Sequence, residues 1–337
     1  MREALFYTKG DGGRVTCGLC RFRCTIHEGK RGICGVRENR GGVLYSLVYG
    51  KAVAEQVDPI EKKPLFHFLP GSRSYSVAAV GCNFRCFHCQ NFSISQPPTE
   101  GGAIFGNLVT PEEIVARALA SGCRSVSYTY TEPTVFFEYA YDTAVLAHRA
   151  GIRNVFVTNG YITREALSFI RPFLDAANID LKSFSDKFYR EIVGAELLGV
   201  LDCIRDYKRH GIWIEVTTLI IPGLNDSDDE LSAIARFIAD EIGIETPWHV
   251  SRFHPAYRLT DRPVTPLSTL RRARQIGVSA GLRYVYEGNV PGEGGENTYC
   301  PGCREPLITR YGFSIEESAV INGKCPECGL VLDGVWE

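Results

Sequence analysis

Between residue 71 and about residue 287 the chain alternates two kinds of hydrophobic pattern. Short runs rich in β-branched and aromatic residues read as strands: Ser74–Val80, Ser125–Tyr130, Asn154–Thr158, Ala177–Leu181, Trp213–Ile220, Trp248–Phe253 and Arg283–Tyr286. Segments of helical period lie between them. The first opens on Thr110-Pro111-Glu112-Glu113, with Thr at the N-cap, Pro at the first helical position and Glu three residues on. Others follow from about Val135 to His148, around Thr163–Ala166, over 185–193 and 195–210, over 226–242 and from Pro266 to Ala280. Strands alternating with helices imply βαβ units and a parallel sheet. The fold class is therefore α/β. About six units suggest a partial (βα)6 TIM-like barrel, with a doubly wound open sheet as the alternative.

The flanks differ. Residues 1–70 show little regular pattern beyond a β-like run at 43–53. The stretch from 288, GNVPGEGGENTY, is Gly-rich and polar, as a linker is. The pattern predicts three parts: an N-terminal Cys-rich segment (1–70), a core (71–287) and a C-terminal module (288–337).

Composition narrows the partners. Hydrophobic content of 45%, charged content of 23% and a formal net charge of -2 give no reason to expect nucleic acid or a membrane as the main partner. No apolar run is long enough for a transmembrane helix, and MREALFYTKGDGGR lacks the apolar centre of a signal peptide. A cytoplasmic location is expected. The 13 cysteines stand beside a single methionine. In a reducing compartment so many thiols read as metal ligands rather than disulfides. They fall into three clusters, leaving Cys123 and Cys203 as small buried hydrophobes.

The central cluster is Cys82, Cys86 and Cys89, spaced C-x3-C-x2-C directly after the first core strand. A structural zinc site closes with four ligands, and a cubane iron–sulfur cluster usually takes four thiolates. Three cysteines in one loop leave an iron open to a ligand; a zinc knuckle completed by His88 is the alternative. In α/β folds of either topology, ligands bind where strands end. Polar residues do follow the strands here: Glu132 after the second, Asn159 after the third, Asp180 and Lys182 at the fourth, His254 at the sixth. Each has a structural reading too: a helix N-terminal acid, an Asn-Gly turn, an ion pair, an unremarkable histidine before proline.

Two further clusters flank the core. Cys300, Cys303, Cys325 and Cys328 form C-x2-C-x21-C-x2-C, a zinc-ribbon or rubredoxin-like pattern for zinc or iron. Cys17, Cys20, Cys24 and Cys34 read C-x2-C-x3-C-x9-C and suit zinc or a second iron–sulfur cluster, with His27 able to replace one thiolate.

The loop G-C-N-F-R-C-F-H-C-Q-N (81–91) resembles the signature of the radical S-adenosylmethionine (SAM) superfamily, with His88 where an aromatic residue usually precedes the third cysteine. The resemblance implies a [4Fe-4S] cluster on Cys82, Cys86 and Cys89, with SAM on the open iron. It implies that Glu132 receives the SAM amino group, that Asn159 orients its ribose or methionyl part, and that Lys182 meets its carboxylate. Asp180 would bind a ribose or a monovalent cation, and His254 would reach the adenosyl or methionyl group. Thr158-Asn159-Gly160 and Asp180-Leu181-Lys182 resemble segments of the glycyl-radical activating enzymes. Glu215 stands where the pyruvate formate-lyase activating enzyme often carries arginine. Across nearly the whole chain, with SYTYTEPT, NIDLKSFS and the ending YVYEGNVPG…ENTYCPGC, the sequence is similar to the AmmeMemoRadiSam-system radical SAM enzymes. That resemblance implies radical chemistry with SAM and a genomic association with Memo-like and AMMECR-like proteins. The mechanism needs a low-potential electron donor (flavodoxin or ferredoxin), and the segments shared with activating enzymes point to a protein substrate such as a glycine of a partner enzyme. Radical modification of another peptide or a small molecule is the alternative within that chemistry. A non-catalytic metal-binding protein and an electron-transfer protein are the rivals from other classes.

Overall fold

The computed structural model describes residues 1–337. Eight strands form the main sheet: β1 (Ala54–Pro59), β2 (Arg73–Ala78), β3 (Ser125–Tyr128), β4 (Arg153–Thr158), β5 (Ala176–Asp180), β6 (Trp213–Ile220), β7 (Trp248–Arg252) and β8 (Val285–Gly288). They lie side by side in chain order, β1 to β8, with no reversal. A doubly wound sheet would need such a reversal at its switch point, so that alternative is excluded. β2 to β8 run parallel and β1 pairs antiparallel to β2. β1 and β8 are not paired with each other, so the sheet is open at one seam.

Helices α1 (Pro111–Ala120), α2 (Phe137–Arg149), α3 (Arg164–Ile170), α4 (Leu197–Arg209), α5 (Asp228–Arg236) and α6 (Leu267–Ser279) make the crossovers. Their starts follow from local chemistry. Thr110 accepts from the Glu113 amide at 3.2 Å while Glu113 accepts from the Thr110 amide at 2.7 Å, a reciprocal cap. Thr163 and Ser227 cap α3 and α5 through their hydroxyls.

Two parts of the sequence pattern fold differently from expectation. The helix expected over 185–193 is a short turn, Asp186–Phe188, that widens into a π-turn, Tyr189–Val193. The carbonyls of Val193 and Ile192 accept there from the amides of Arg85 and Phe87, at 2.8 and 3.0 Å, so this turn straps the cysteine loop. β1 lies ahead of residue 71, where the core was expected to start. Its sequence AEQVDP gives no clean alternation, because an edge strand has only part of its surface covered.

The N-terminal residues make two small antiparallel sheets, one of Arg2–Glu3, Arg37–Arg40 and Val43–Ser46, the other of Tyr7–Lys9, Val15–Cys17 and Thr25–Ile26. Val15, Leu19, Ile26 and Val36 belong to the same hydrophobic core as Val126, Phe156 and Ile204. The C-terminal residues instead pack a core of their own, Cys300, Leu307, Ile308, Cys325 and Leu332, on a three-stranded antiparallel sheet. That module sits at the amino ends of the main strands. Val335 and His67 exchange a backbone bond of 2.7 Å, and Asp333 pairs with Arg283 at 2.9 Å. No helix is long and apolar enough to cross a membrane.

Candidate functional site

The carboxyl ends of β2, β3, β4 and β5 converge on the cysteine loop. β2 ends at Ala78, and Gly81 turns the chain into Cys82 with φ of 104°, a conformation glycine tolerates. A Cβ at Gly81 would lie 2.6 Å from Val36 Cγ1, so the turn is also where the N-terminal segment presses on the loop. Cys86 is buried, and Cys82 and Cys89 are half-buried.

On one side of the loop stand Asn83, Glu132 and Asn159. The Asn159 side-chain amide donates to Asn83 Oδ1 at 2.8 Å and approaches Cys82 Sγ at 3.7 Å. The other ends of both amides, Asn159 Oδ1 and Asn83 Nδ2, are enclosed without a partner. Such orphans are rare in native structures and call for an explanation. Glu132 accepts hydrogen bonds at both carboxylate oxygens. Oε1 accepts from the Thr134 amide at 3.0 Å and from the hydroxyls of Thr134 and Thr158 at 2.5 and 2.8 Å; Oε2 accepts from the Asn159 amide at 2.8 Å. Its carboxylate thus caps the turn Pro133–Phe136 and fixes the end of β4. Burial raises the Glu132 pKa, with those donors working against it. Burial likewise lifts the Cys82 thiol well above its ordinary range, and the nearby Glu132 adds to the rise. Two residues before Glu132, Tyr130 has φ of 64°. A bulky residue held there is strained, and such strain gathers at functional sites.

On the other side stand Asp180 and Lys182. Their side chains pair at 3.0 Å. Burial opposes the lysine's charge, but Asp180 and the Cys86 thiol outweigh it and hold its pKa above the ordinary value. Burial pushes the Cys86 thiol up to about 12, with Lys182 pulling it down. His88 is enclosed against Phe188 and its Nδ1 has no partner. Burial, helped by Lys182, takes its pKa down to about 3, so the ring is neutral. The Tyr189 hydroxyl accepts from the Lys182 amide at 3.0 Å, and Asn225 donates to the Lys182 carbonyl at 2.7 Å.

The structure thus brings Cys82, Cys86, Glu132, Asn159, Asp180 and Lys182 around one loop. His254 stands exposed beyond β7 and bonds to none of them. Glu215, at the expected arginine position, points elsewhere. It is buried and accepts from the amides of Phe66 and His67, from Trp213 Nε1 and from His249. Asn83, Tyr189 and Ser95, whose Oγ lies 3.3 Å from Cys89 Sγ, join the site without a signal of their own in the sequence.

Thiol spacing separates the cysteine groups. Four sulfurs about 2.3 Å from one tetrahedral ion stand about 3.8 Å apart. Cys300 and Cys328 lie 3.6 Å apart, as do Cys303 and Cys325, and all four sulfurs fall within 4.8 Å of one another. This four-cysteine site can bind a metal ion. Burial opposes ionisation of Cys300, but the amides of Cys303 and Gly302 bring its thiol down to about 7. No other group of His, Cys, Asp or Glu closes so tightly. The three-cysteine loop is wider than a single-ion site, and it is ringed by orphaned polar atoms. Its three thiols suit a thiolate-bound cluster, and the unpartnered Asn83 Nδ2 and Asn159 Oδ1 leave hydrogen-bonding capacity for a polar ligand beside it. Cys123 and Cys203 are buried, as expected of small hydrophobes.

Residues 76–238 match the model of the Radical SAM superfamily. An uncharacterized protein of Methanocaldococcus jannaschii is 52% identical over 336 residues, covering 99% of both chains. The pyruvate formate-lyase 1-activating enzyme of Escherichia coli K12 is 24% identical over 182 residues, 50% of this chain and 71% of that one. Among solved structures, a radical SAM methyltransferase from Sphaerobacter thermophilus aligns with a TM-score of 0.51 at 17% identity, over 66% of this chain and 68% of that one. That last likeness is one of fold.

Proposed function

We propose that the chain, which carries a Radical SAM domain over residues 76–238, abstracts hydrogen from a glycine Cα of a partner protein, as a glycyl-radical activating enzyme would. The carrying observation is the three-thiol loop at the strand ends, ringed by the unpartnered Asn159 Oδ1, Asn83 Nδ2 and His88 Nδ1. Cys82, Cys86 and Cys89 would hold a [4Fe-4S] cluster. When bound and reduced by an external donor, the cluster would supply the one electron that breaks the S–C5′ bond of SAM into methionine and a 5′-deoxyadenosyl radical. The chain's own residues bind and orient. Lys182, kept charged by Asp180, would meet the SAM carboxylate. Asn159 Oδ1, held by its partner amide on Asn83, would accept from a SAM hydroxyl or ammonium. Glu132 would act chiefly by fixing Thr158 and Asn159, with Oε2 free to accept a further bond. His254, exposed at the rim, would meet the adenosyl group or the substrate.

The sheet is read as a partial (βα)6 barrel spanning 71–287 with β1 added at its edge. The C-terminal module (288–337) would hold zinc structurally, far from the radical chemistry at the other end of the strands. An open groove lined by Lys30, Arg31 and Arg85 flanks the cysteine loop. It suits the acidic face of a low-potential donor such as flavodoxin. The glycyl-radical reading rests on similarity to pyruvate formate-lyase activating enzymes. Memo-like and AMMECR-like proteins are the first partners to try as substrates.

Adding SAM to the reduced, reconstituted protein and recording electron paramagnetic resonance tests the binding. A SAM-dependent change of the cluster signal, lost in Lys182→Ala, is expected. An unchanged signal would mean that no iron at this loop accepts SAM.

A further inference from the structure

The four N-terminal cysteines surround a cavity rather than a point. Cys17, Cys20, Cys24 and Cys34 line a small hollow together with Ile26 and Val135. Their sulfurs do not all lie within 4.8 Å of one another, whereas those of the C-terminal four-cysteine site do. A zinc ion at about 2.3 Å from each sulfur draws the four together and leaves no cavity. Four thiolates on the corners of an inorganic cluster stay apart, with the cluster between them.

A second observation points to a charged occupant. Arg37 also lines the cavity and is 2% exposed. Its Nη atoms are used: Nη1 donates to Glu138 at 3.2 Å, and Nη2 donates to Glu138 at 2.9 Å and to the Leu5 carbonyl at 2.7 Å. Its Nε–H is enclosed and has no acceptor. A buried guanidinium donor left without an acceptor is costly. A cluster bound by four thiolates is an anion that presents sulfur acceptors, and it would relieve that cost.

We propose that Cys17, Cys20, Cys24 and Cys34 bind a second iron–sulfur cluster, with Arg37 Nε donating to it. The site is continuous with the radical loop. The Cys34 carbonyl and Val36 side chain lie against Gly81, and Phe22, two residues past Cys20, packs on Phe84 between Cys82 and Cys86. Cys20 itself bridges to Ile162 beyond β4. The site needs no SAM chemistry to be correct.

The test uses the full chain, reconstituted without oxygen with iron and sulfide, in which Cys82, Cys86 and Cys89 are all changed to alanine. Acid-labile sulfide, iron and zinc are then counted per chain. The triple variant is expected to keep at least about two labile sulfides per chain, and the further changes Cys17→Ser and Cys34→Ser to remove them. A triple variant with no labile sulfide and about two zinc ions, one at each flanking site, would overturn the proposal. If the triple variant does not fold, the wild type decides. Six or more sulfides, roughly, require a second cluster, while about four mean a single one. Equal sulfide in wild type and triple variant would keep the N-terminal cluster and instead remove the one proposed for the radical loop.

Discussion

Glu132 gathers four donors from two strand ends, and all of them are N–H or O–H groups. Glu132→Gln keeps the shape but turns an amide donor toward one of those donors. It should cost about 1–3 kcal/mol and free Asn159. Thermal unfolding would read the first effect. Weakened SAM binding at unchanged iron content would read the second. His67 offers a pH prediction. One ring nitrogen faces the Asp333 carbonyl at 2.7 Å and must carry the proton, and the other accepts from the Tyr286 hydroxyl at 2.6 Å. Burial lowers its pKa to about 4, below the ordinary 6.5, with Glu215 working against the fall. The unfolded chain therefore binds this proton first as pH falls. The stability that neutral His67 contributes is complete above pH 6.5 and is lost on going down to about 4, by roughly 3 kcal/mol. Thermal unfolding of wild type and His67→Gln across that window should show the wild type losing stability relative to the variant. A constant gap would contradict it. The place of the cysteine loop was legible at this scale, because its three thiols directly follow a strand that the hydrophobic pattern marks. Asn83 was not, because its role arises only from Asn159, a residue 76 positions away.

Among the elements, parallel strands and capped helices announced themselves, since burial on both faces and N-cap chemistry leave local marks. The antiparallel edge strand β1 and the π-turn at Tyr189–Val193 did not. A half-covered edge carries mixed polarity, and a π-turn is chosen by what its carbonyls meet, here Arg85 and Phe87. The junction at Gly81 is also tertiary. Gly81→Ala would force a methyl group to 2.6 Å from Val36 in a left-handed backbone conformation. A loss of about 1–3 kcal/mol is expected, with faster amide exchange in residues 34–36 as the N-terminal segment lifts. Unchanged exchange there would mean that the contact does not seat the segment.

For the whole molecule, the C-terminal module closes the amino ends of the strands. Arg310 is buried there, donating to the carbonyls of Glu296 and Phe66 and to Thr298 at 2.8 to 3.1 Å. With a core of five residues, the module would draw much of its stability from a metal bound at its four cysteines. Chelation should raise amide exchange at residues 66–69 and 298–318 before it touches β3 to β5. Simultaneous exchange everywhere would show that the module and sheet melt as one. Charge complementarity at Lys30 and Arg85 belongs to this scale too, and the sequence showed only that basic residues were near the cysteines.

The most direct measurement of the central claim is 5′-deoxyadenosine formed from SAM by the anaerobically reconstituted, dithionite-reduced chain, with Cys86→Ala beside it. Deoxyadenosine from the wild type and none from the variant is the predicted result. No deoxyadenosine from a wild type that carries zinc and no labile sulfide at Cys82, Cys86 and Cys89 would contradict it.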